Sequence, residues 1–221
     1  MDDRFLSNAY VVGDEPGGTA VFVDSGAPLE PLLEIVERER LEPAVLLTTH
    51  THGDHIAGDE RLRHLFPELE TVAAVEEVHT AHFDVESLPT PGHSGDMVAF
   101  VVNREAVFTG DTLFKDSVGG GDFEEIKRSV MNVLMGLPPE LRALPGHTDE
   151  TTIGREWEQN PFVRVWRGVE PEGTDPVQVA RRDATLVVWS PDYDGGGKAW
   201  VRFADDGRDA IVGGSRVERR T

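Results

Sequence analysis

The chain has 221 residues, 38% of them hydrophobic, and a mean hydropathy of -0.33, which is typical of a soluble globular protein with one domain and at most a small appendage. Its formal net charge of -20 argues against nucleic acid as a partner, and its lack of cysteine excludes disulfides, thiolate ligands and a thiol nucleophile. No apolar run approaches the ~20 residues of a membrane-spanning helix and no signal-peptide pattern is visible, so we expect a cytoplasmic protein without a membrane partner.

Strands and helices are predicted to alternate in the first part of the chain. A glycine-rich turn separates two strand-like runs, and leucines recur at helical spacing in the segment that follows. A short apolar run then leads directly into a cluster of histidines. The predicted elements are strands over 9–13, 19–26, 44–49 and 71–75, and helices over 28–40 and 59–66.

The middle of the chain continues this pattern. Two apolar runs, 97–103 and 106–111, are predicted to pair as a hairpin, and apolar residues share one face of a helix predicted over 123–137. Helices interleaved with strands are typical of a layered core in which helices cover sheets. The sequence therefore predicts an α/β fold for this part of the chain.

The composition of the chain changes after residue 168. Residues 168–176 are rich in glycine, proline and acid, and short strand-like runs separated by turns follow them without a helical pattern. We therefore expect a main domain over residues 1–168 and a small all-β module over residues 175–221. The module shows no cluster of candidate catalytic residues, and we expect it to pack on the main domain as a small barrel or to mediate assembly.

Four side chains that can bind a metal lie within six residues, directly after an apolar strand: His50, His52, Asp54 and His55. In extended backbone, residues i and i+2 point to the same side, so His50 and His52 can converge on one ion. Asp54 and His55 follow at a turn and can face a second ion. Because neutral imidazole and carboxylate suit Zn²⁺ or Fe²⁺, the pattern predicts a metal site.

Further candidate ligands follow other apolar runs. His93 and His147 each come after a Pro-Gly turn, and Asp111 ends the apolar strand in "VFTGD". Loops at strand ends are where functional side chains concentrate, so we expect these three residues to join the cluster. The remaining histidines match no motif and are predicted to be ordinary solvated residues: His64, His79 and His82.

This ordered set of residues resembles the metallo-β-lactamase fold superfamily, and within it the glyoxalase II-like (hydroxyacylglutathione hydrolase-like) branch. The resemblance lies in "HTHGDH" at 50–55, "PGH" at 91–93 and at 145–147, and "GDTLF" at 110–114. "FVDSG", with Asp24, is similar to the early aspartate motif of the family. The resemblance covers roughly residues 5–165 of the chain.

The resemblance implies an αββα metallo-β-lactamase sandwich with two metal ions at one sheet edge. The ions implied are zinc, with iron or manganese as other options, and a metal-bridging hydroxide would attack a carbonyl carbon. Asp54 would hydrogen-bond this nucleophile as well as ligate, and Asp24 would hold a ligating histidine in the required tautomer. The implied ligands are His50, His52 and His93 for one ion and Asp54, His55 and His147 for the other, with Asp111 between them.

The function implied is hydrolysis of a thioester or related ester of a small molecule. A second branch stays open, because persulfide dioxygenases resemble the chain over the same motifs and use one Fe²⁺, here held by His50, His93 and Asp111. A β-lactamase activity is disfavoured, because zinc β-lactamases usually carry cysteine or a third histidine where Asp111 stands. The sequence does not indicate the oligomeric state.

The loop after "GDTLF" indicates which thiol the substrate could contain. Glutathione-using relatives place a basic residue where this chain has Gly120. Asp116 and Asp122 lie nearby and would repel an anionic substrate, as would the net charge of -20. Lys115 lies several positions too early to replace the missing charge. We therefore expect S-lactoylglutathione to be a poor substrate, and a smaller, neutral or differently thiolated ester to be preferred.

Overall fold

Two β-sheets lie at the centre of the molecule in the computed structural model, which describes residues 7–73, 78–79 (backbone only) and 83–219. Within these residues the strands are β1 (Tyr10–Gly13), β2 (Thr19–Val23), β3 (Glu42–Leu47), β4 (Glu70–Val72), β5 (Val78–His79), β6 (Asp84–Pro89), β7 (Val98–Val102), β8 (Ala106–Gly110), β9 (Leu113–Phe114), β10 (Ser117–Val118), β11 (Arg142–Pro145), β12 (Thr151–Thr152), β13 (Asp175–Val179), β14 (Arg182–Ser190), β15 (Lys198–Phe203), β16 (Asp209–Gly213) and β17 (Val217–Arg219). The helices are α1 (Glu30–Glu39), α2 (Gly53–Ile56), α3 (Asp59–Leu65), α4 (Phe123–Arg128), α5 (Ile153–Gln159) and α6 (Pro161–Trp166). None of these helices combines the length and the apolar character that crossing a bilayer requires.

The first sheet has four strands in the order β1-β2-β3-β4. β1 and β2 form an antiparallel hairpin, whereas β3 and β4 continue the sheet in parallel. A parallel neighbour needs a crossover, and α1 provides it between β2 and β3. α1 carries a proline in its first turn and ends at Arg40, whose positive φ of 55° turns the chain back toward the sheet.

The second sheet has six strands in the order β12-β11-β8-β7-β6-β5. β6, β7 and β8 form an antiparallel meander, and β11 joins β8 in parallel. β9 and β10 form a separate two-stranded hairpin after β8. The carboxyl ends of β8 and β11 therefore lie side by side, which brings the loops that follow them together.

The core between the two sheets follows from the strand alternation. Val21 and Val23 of β2 face Phe100 and Phe108 of the second sheet in one buried cluster. The alternate residues of the same strand point outward, where Phe22 packs with residues of α1 and α3. Strands covered on both faces are apolar throughout, which explains why β2 and β3 contain runs of consecutive apolar residues.

Helices α4, α5 and α6 cover the outer face of the second sheet in another buried cluster. Asp122 caps α4 by accepting a hydrogen bond from the Glu125 backbone N–H at 3.0 Å. After α4 the hydrogen bonding widens to a π-helical turn over 129–133 and tightens to a 3₁₀ turn over 134–136. The segment predicted as a single helix over 123–137 is therefore helical, but only its first part is an α-helix.

The structure confirms the α/β fold class and the αββα sandwich with a C-terminal β-module. The hairpin over β7 and β8 pairs as predicted, and the helices predicted over 28–40 and 59–66 are present as α1 and α3. The strand predicted over 71–75 is present as β4, which ends at Val72, and residues 74–75 lie outside the described chain. The sequence reading assigned no strand to β5, β6 or β11 and no helix to α5 or α6, because their apolar periodicity is short or interrupted by charge.

The C-terminal strands form one antiparallel sheet in the order β16-β15-β14-β13-β17. β16 and β17 lie on opposite edges, yet only residues 214–216 connect them. Three linking residues bridge at most ~15 Å, whereas a flat five-stranded sheet spans ~19 Å from edge to edge. The sheet must therefore curl toward a partial barrel, and its concave side holds the apolar cluster that includes Val177, Leu186 and Val201.

The outer face of the curled sheet packs on the sandwich. Trp200 of β15 lies 5.0 Å from the ring of Phe123, centroid to centroid, and both belong to the cluster that includes α4 and α6. Ile211 of β16 pairs with Gly121 in the loop before α4. The module therefore shares a hydrophobic core with the sandwich and does not stand apart from it.

Candidate metal centre

The structure brings together all seven residues that the sequence singled out, because each follows a strand that ends at the same edge. His50 and His52 follow β3, with His52 in extended backbone, and Asp54 and His55 lie in the short helix α2. The other three follow the ends of β6, β8 and β11: His93, Asp111 and His147.

One group of three imidazoles converges at this edge. His52 Nδ1 lies 3.1 Å from His50 Nε2 and 3.0 Å from His93 Nε2. A tetrahedral ion with 2.0–2.1 Å bonds to nitrogen requires nitrogen pairs ~3.3 Å apart, so the spacing fits one ion. The i and i+2 geometry predicted for His50 and His52 is confirmed.

A second group lies beside the first. His147 Nε2 is 3.6 Å and His55 Nε2 is 3.8 Å from Asp54 Oδ2. The ligand atoms of these three residues all lie within 4.8 Å of one another. His55 is part of α2 rather than of a turn, and its ring lies 4.2 Å from the ring of His50, so the two groups adjoin at this pair.

Asp111 lies between the two groups. Its Oδ2 is 3.5 Å from His93 Nε2 and 3.3 Å from His147 Nε2, and its Oδ1 is 3.4 Å from His55 Nε2. His55 Nε2 and Asp111 Oδ1 are both buried without a hydrogen-bond partner among the described residues. Buried polar atoms are almost always satisfied, so two such atoms facing each other fit a cation between them.

Asp24 orients imidazoles in both groups. Its Oδ2 accepts a hydrogen bond from His55 Nδ1 at 2.8 Å and another from the Thr49 hydroxyl at 2.9 Å. Because that hydroxyl donates its only proton to Asp24, it accepts from His50 Nδ1 at 3.1 Å. Both histidines therefore carry the proton on Nδ1 and present Nε2 to the centre, as the resemblance implied for one of them.

The remaining loops are held by similar contacts. His93 Nδ1 donates to the Gly120 carbonyl at 2.9 Å, which leaves Nε2 for the centre. Asp96 accepts from the Thr51 backbone N–H at 3.0 Å, from the Thr51 hydroxyl at 2.7 Å and from the Ser94 hydroxyl. Asp96 thus ties the loop of His50 and His52 to the loop of His93.

Close backbone approach explains two of the glycines. A Cβ on Gly26 would lie 1.5 Å from the Asp54 carbonyl oxygen. A Cβ on Gly146 would lie 2.4 Å from Asp111 Oδ1 and 2.6 Å from His55 Cε1. Only glycine allows these two chain segments to pass so close to the candidate ligands.

The protonation states of His50, His93 and Asp111 suit metal binding, whereas that of His55 opposes it. Burial, with the neighbouring imidazoles, lowers the pKa of His50 to about 3, and burial also lowers the pKa of His93. Burial alone would lower the pKa of His55, but the carboxylates of Asp111 and Asp24 outweigh it and raise that pKa to about 10. Burial would raise the pKa of Asp111, yet His147 and His55 hold it well below its usual range. Asp111 is therefore a carboxylate at neutral pH, whereas His55 has to release a proton before its Nε2 can bind an ion.

An aromatic side chain from the C-terminal module reaches this centre. The ring of Tyr193 stacks on the ring of His147 with centroids 4.0 Å apart and planes 10° apart, and Phe114 lies 6.0 Å from Tyr193. Burial, reinforced by the charge of Asp111, raises the pKa of the Tyr193 phenol, which is therefore neutral at physiological pH. The sequence reading placed no functional residue in the module.

Apart from Asp24, sequence reasoning missed the residues that orient or flank the candidate ligands. Thr49 could have been suspected because it lies next to His50, but nothing in the local sequence of Asp96 or Tyr193 indicates the centre. Of the other histidines, His64 is exposed on α3, the side chain of His79 is not described, and His82 lies outside the described chain.

The structure also shows the surroundings of Lys115 and Gly120, the two positions considered for binding an anionic substrate. Lys115 Nζ pairs with Asp149 Oδ2 at 3.0 Å in a contact exposed to solvent. A Cβ on Gly120 would meet only the Ile211 carbonyl oxygen, at 3.8 Å, so the position has room for a side chain that the chain lacks.

Known proteins are similar to this chain in sequence and fold. The family model described as "Metallo-beta-lactamase superfamily" matches residues 2–88. The hydroxyacylglutathione hydrolase GloC of Haemophilus influenzae is 28% identical over 199 residues, which cover 72% of this chain and 93% of that protein. Two solved structures match: ETHE1 from Myxococcus xanthus (29% identity, TM-score 0.64, 74% of this chain and 82% of that one) and TTHA1623 in a di-iron-bound form (31%, 0.60, 71% and 94%). Each comparison leaves more than a quarter of this chain unmatched.

Proposed function

Because this chain belongs to the metallo-beta-lactamase superfamily, we propose that it is a metal-dependent hydrolase that cleaves a thioester or related ester of a small molecule. The observation that carries the proposal is the pair of donor groups on either side of Asp111, with Asp111 Oδ1 and His55 Nε2 buried and without partners among the described residues. The similarity to a hydroxyacylglutathione hydrolase supports the choice of a thioester.

In this proposal the two groups bind two zinc ions. Asp111 lies within 3.5 Å of imidazole nitrogens from both groups and is positioned to contact both ions. Histidine and aspartate suit zinc, and the di-iron form of a similar structure makes iron the other candidate. The ligands proposed are His50, His52 and His93 for one ion and Asp54, His55 and His147 for the other.

The chain's own residues contribute orientation and proton handling. Two divalent ions held here would lower the pKa of a shared water and polarise the substrate carbonyl, as in other two-metal hydrolases. Asp54 is the more exposed carboxylate of the site, at 24% of its side chain against 7% for Asp111. Asp54 can therefore accept a hydrogen bond from the attacking water, while Asp111 stays in the interior and Asp24 keeps His50 and His55 aligned.

A specific observation also favours a second candidate function. The similarity to ETHE1 supports a persulfide dioxygenase-like oxidoreductase with a single Fe²⁺ held by His50, His93 and Asp111. Asp111 Oδ2 lies 3.5 Å from His93 Nε2, so this smaller ligand set is compatible with the structure. Under this alternative, Asp54 and His147 would bind no metal.

Metal content and reaction products decide between the two. We expect the purified protein to contain two metal ions per chain and to release thiol from a thioester without consuming oxygen. His64→Ala, on the exposed face of α3, is the control and should leave both values unchanged. One iron per chain together with oxygen uptake in the presence of a persulfide would contradict the hydrolase and support the alternative.

A further inference from the structure

The loop that carries Tyr193 lies over one side of the metal centre. It connects β14, which ends at Ser190, to β15, which begins at Lys198. One face of the Tyr193 ring stacks on His147, and its edge approaches Phe114. No other part of the described C-terminal module makes a ring contact with a candidate ligand.

Buried contacts hold this loop in place. Lys198 Nζ pairs with Asp192 Oδ2 at 2.9 Å, and their side chains are only 12% and 3% exposed. A pair so well shielded from water fixes its two residues more firmly than a surface pair does. Asp192 also accepts a hydrogen bond from the Tyr193 backbone N–H at 2.9 Å. Contacts within the C-terminal module therefore fix the position of Tyr193.

The module meets the opposite side of the centre as well. Ile211 of β16 pairs with Gly121, next to Gly120, whose carbonyl orients His93. The curled sheet therefore touches the loops of both donor groups. The Tyr193 hydroxyl forms no hydrogen bond with the part of the chain that the structure describes, and it is not among the fully buried atoms that lack a partner. It is consequently available to a molecule bound at the centre.

We propose that the C-terminal sheet is a substrate-selecting wall of the metal centre and that Tyr193 is its contact residue. This inference rests on the proposed hydrolase function and specifies its substrate class: a thioester whose acyl or thiol group is neutral and apolar. The half-buried ring of Tyr193 offers such a group a packing surface, and the fully buried ring of Phe114 supports it from behind. Lys198 is held by Asp192 in a pair shielded from water and Lys115 pairs with Asp149 at the surface, so neither cation stands unpaired for an anionic thiol such as glutathione.

The first test compares two substrates in the full-length protein: phenyl thioacetate, which is neutral and aromatic, and S-lactoylglutathione, which is anionic. Tyr193→Ala should lower kcat/KM for phenyl thioacetate by at least about tenfold, the lower end of what a lost apolar contact in a pocket costs, with a smaller effect on S-lactoylglutathione. Tyr193→Phe keeps the ring and should keep the preference. Leu65→Ala, an exposed apolar residue of α3, is the control. Metal content is measured for every variant.

The second test reads the position of Tyr193 without activity. The chain has two tyrosines, so incorporation of 3-fluorotyrosine gives two fluorine NMR signals, and Tyr193→Phe identifies one of them. Adding Zn²⁺ to metal-free protein should shift the Tyr193 signal, because its ring stacks on His147.

The two tests distinguish failure of this inference from failure of the proposed function. An unchanged substrate ratio in Tyr193→Ala, or equal loss of both activities, would overturn the inference and leave the hydrolase proposal standing. A Tyr193 signal that does not respond to Zn²⁺ would overturn it as well. A zinc-loaded wild-type protein that cleaves neither thioester would instead refute the proposed function, and the substrate class with it.

Discussion

The sandwich and the C-terminal sheet contribute differently to the same centre. Every candidate ligand comes from a loop or from the short helix α2 of the sandwich, whereas the C-terminal sheet contributes a ring that lies against one of those ligands. The ligands are recognisable by residue type and by short spacing, because metal binding demands imidazole and carboxylate. No residue pattern marks Tyr193 in the sequence, because its proposed role depends only on where its ring lies in the fold. Residues that perform chemistry are therefore easier to find in a sequence than residues that select what reacts.

The largest expected effect comes from separating the two regions. A chain that ends at residue 169 would lose Trp200, Val188 and Ile211 from the core they share with Phe123. Burying one tryptophan contributes about 3–5 kcal/mol, a large share of the ~5–15 kcal/mol that stabilises a typical domain. We expect the truncated chain to be largely unfolded by circular dichroism. In the full-length chain, Trp200→Ala should also lower the free energy of unfolding. A truncated chain that unfolds at the same temperature as the full-length chain would show that the two regions are independent.

The division of ligands within the sandwich can be tested next. His147→Ala should remove mainly the metal of the Asp54 and His55 group, and His93→Ala mainly the metal of the His50 and His52 group. Each should reduce activity by more than about 100-fold, because losing even a group that only orients a ligand costs ~10–100-fold. Metal analysis after dialysis is the measurement. Indistinguishable losses from the two variants would show that the division is wrong.

Asp24 should matter more than Asp96, although both orient loops of the centre. Asp24→Asn replaces an acceptor of bonds from both His55 and Thr49, so we expect metal affinity to fall ~10–100-fold. Asp96→Asn affects an exposed carboxylate and should cost only a few-fold by the standards of exposed polar contacts. Titration with a chelator as competitor measures both, and equal losses would contradict this ranking.

The pKa of His55 makes metal binding depend on pH. Its pKa is raised from 6.5 to about 10, so the imidazole carries a proton at pH 7.5 that an ion must displace. The apparent affinity for metal should therefore rise by about tenfold per pH unit between pH 6.5 and about pH 10. The release of the proton should be visible by calorimetry in buffers of different ionisation enthalpy. Affinity that is independent of pH over this range would contradict the raised pKa of His55.

The smallest expected effect concerns substrate charge. Gly120→Lys places a cation where a Cβ has room, close to the pairing between Gly121 and β16. An exposed ion pair contributes at most ~1 kcal/mol, so we expect kcat/KM for S-lactoylglutathione to rise by no more than about fivefold. Gly120→Gln is the matched neutral control. Equal gains in both variants would mean that the charge is not responsible.

The sequence predicts most of the sandwich and its donor set for physical reasons. β2, β3, β7 and β8 are apolar on both faces, and His50 and Asp111 follow β3 and β8. His93 and His147 follow strands that were not predicted and were found from their Pro-Gly motifs. β5, β11 and β12 are too short to carry a periodic signal, and the charges of α5 obscure its apolar face. Thr49, Asp96 and Tyr193 could not be assigned, because their roles depend on contacts between segments far apart in the chain.

The hydrogen bonds that meet at Asp24 have a consequence for how the centre is loaded. His55 reaches this carboxylate directly and His50 reaches it through Thr49, so one group links the two donor sets. An ion that fixes His50 also fixes the Thr49 hydroxyl and the Asp24 carboxylate that His55 needs. In the proposed two-ion site, ordering the first set would already spend part of the entropy lost on ordering the second, so we expect the two binding events in the wild-type chain to be positively cooperative. Filling should then be steeper than for two independent sites, and partly loaded wild-type molecules should be scarce.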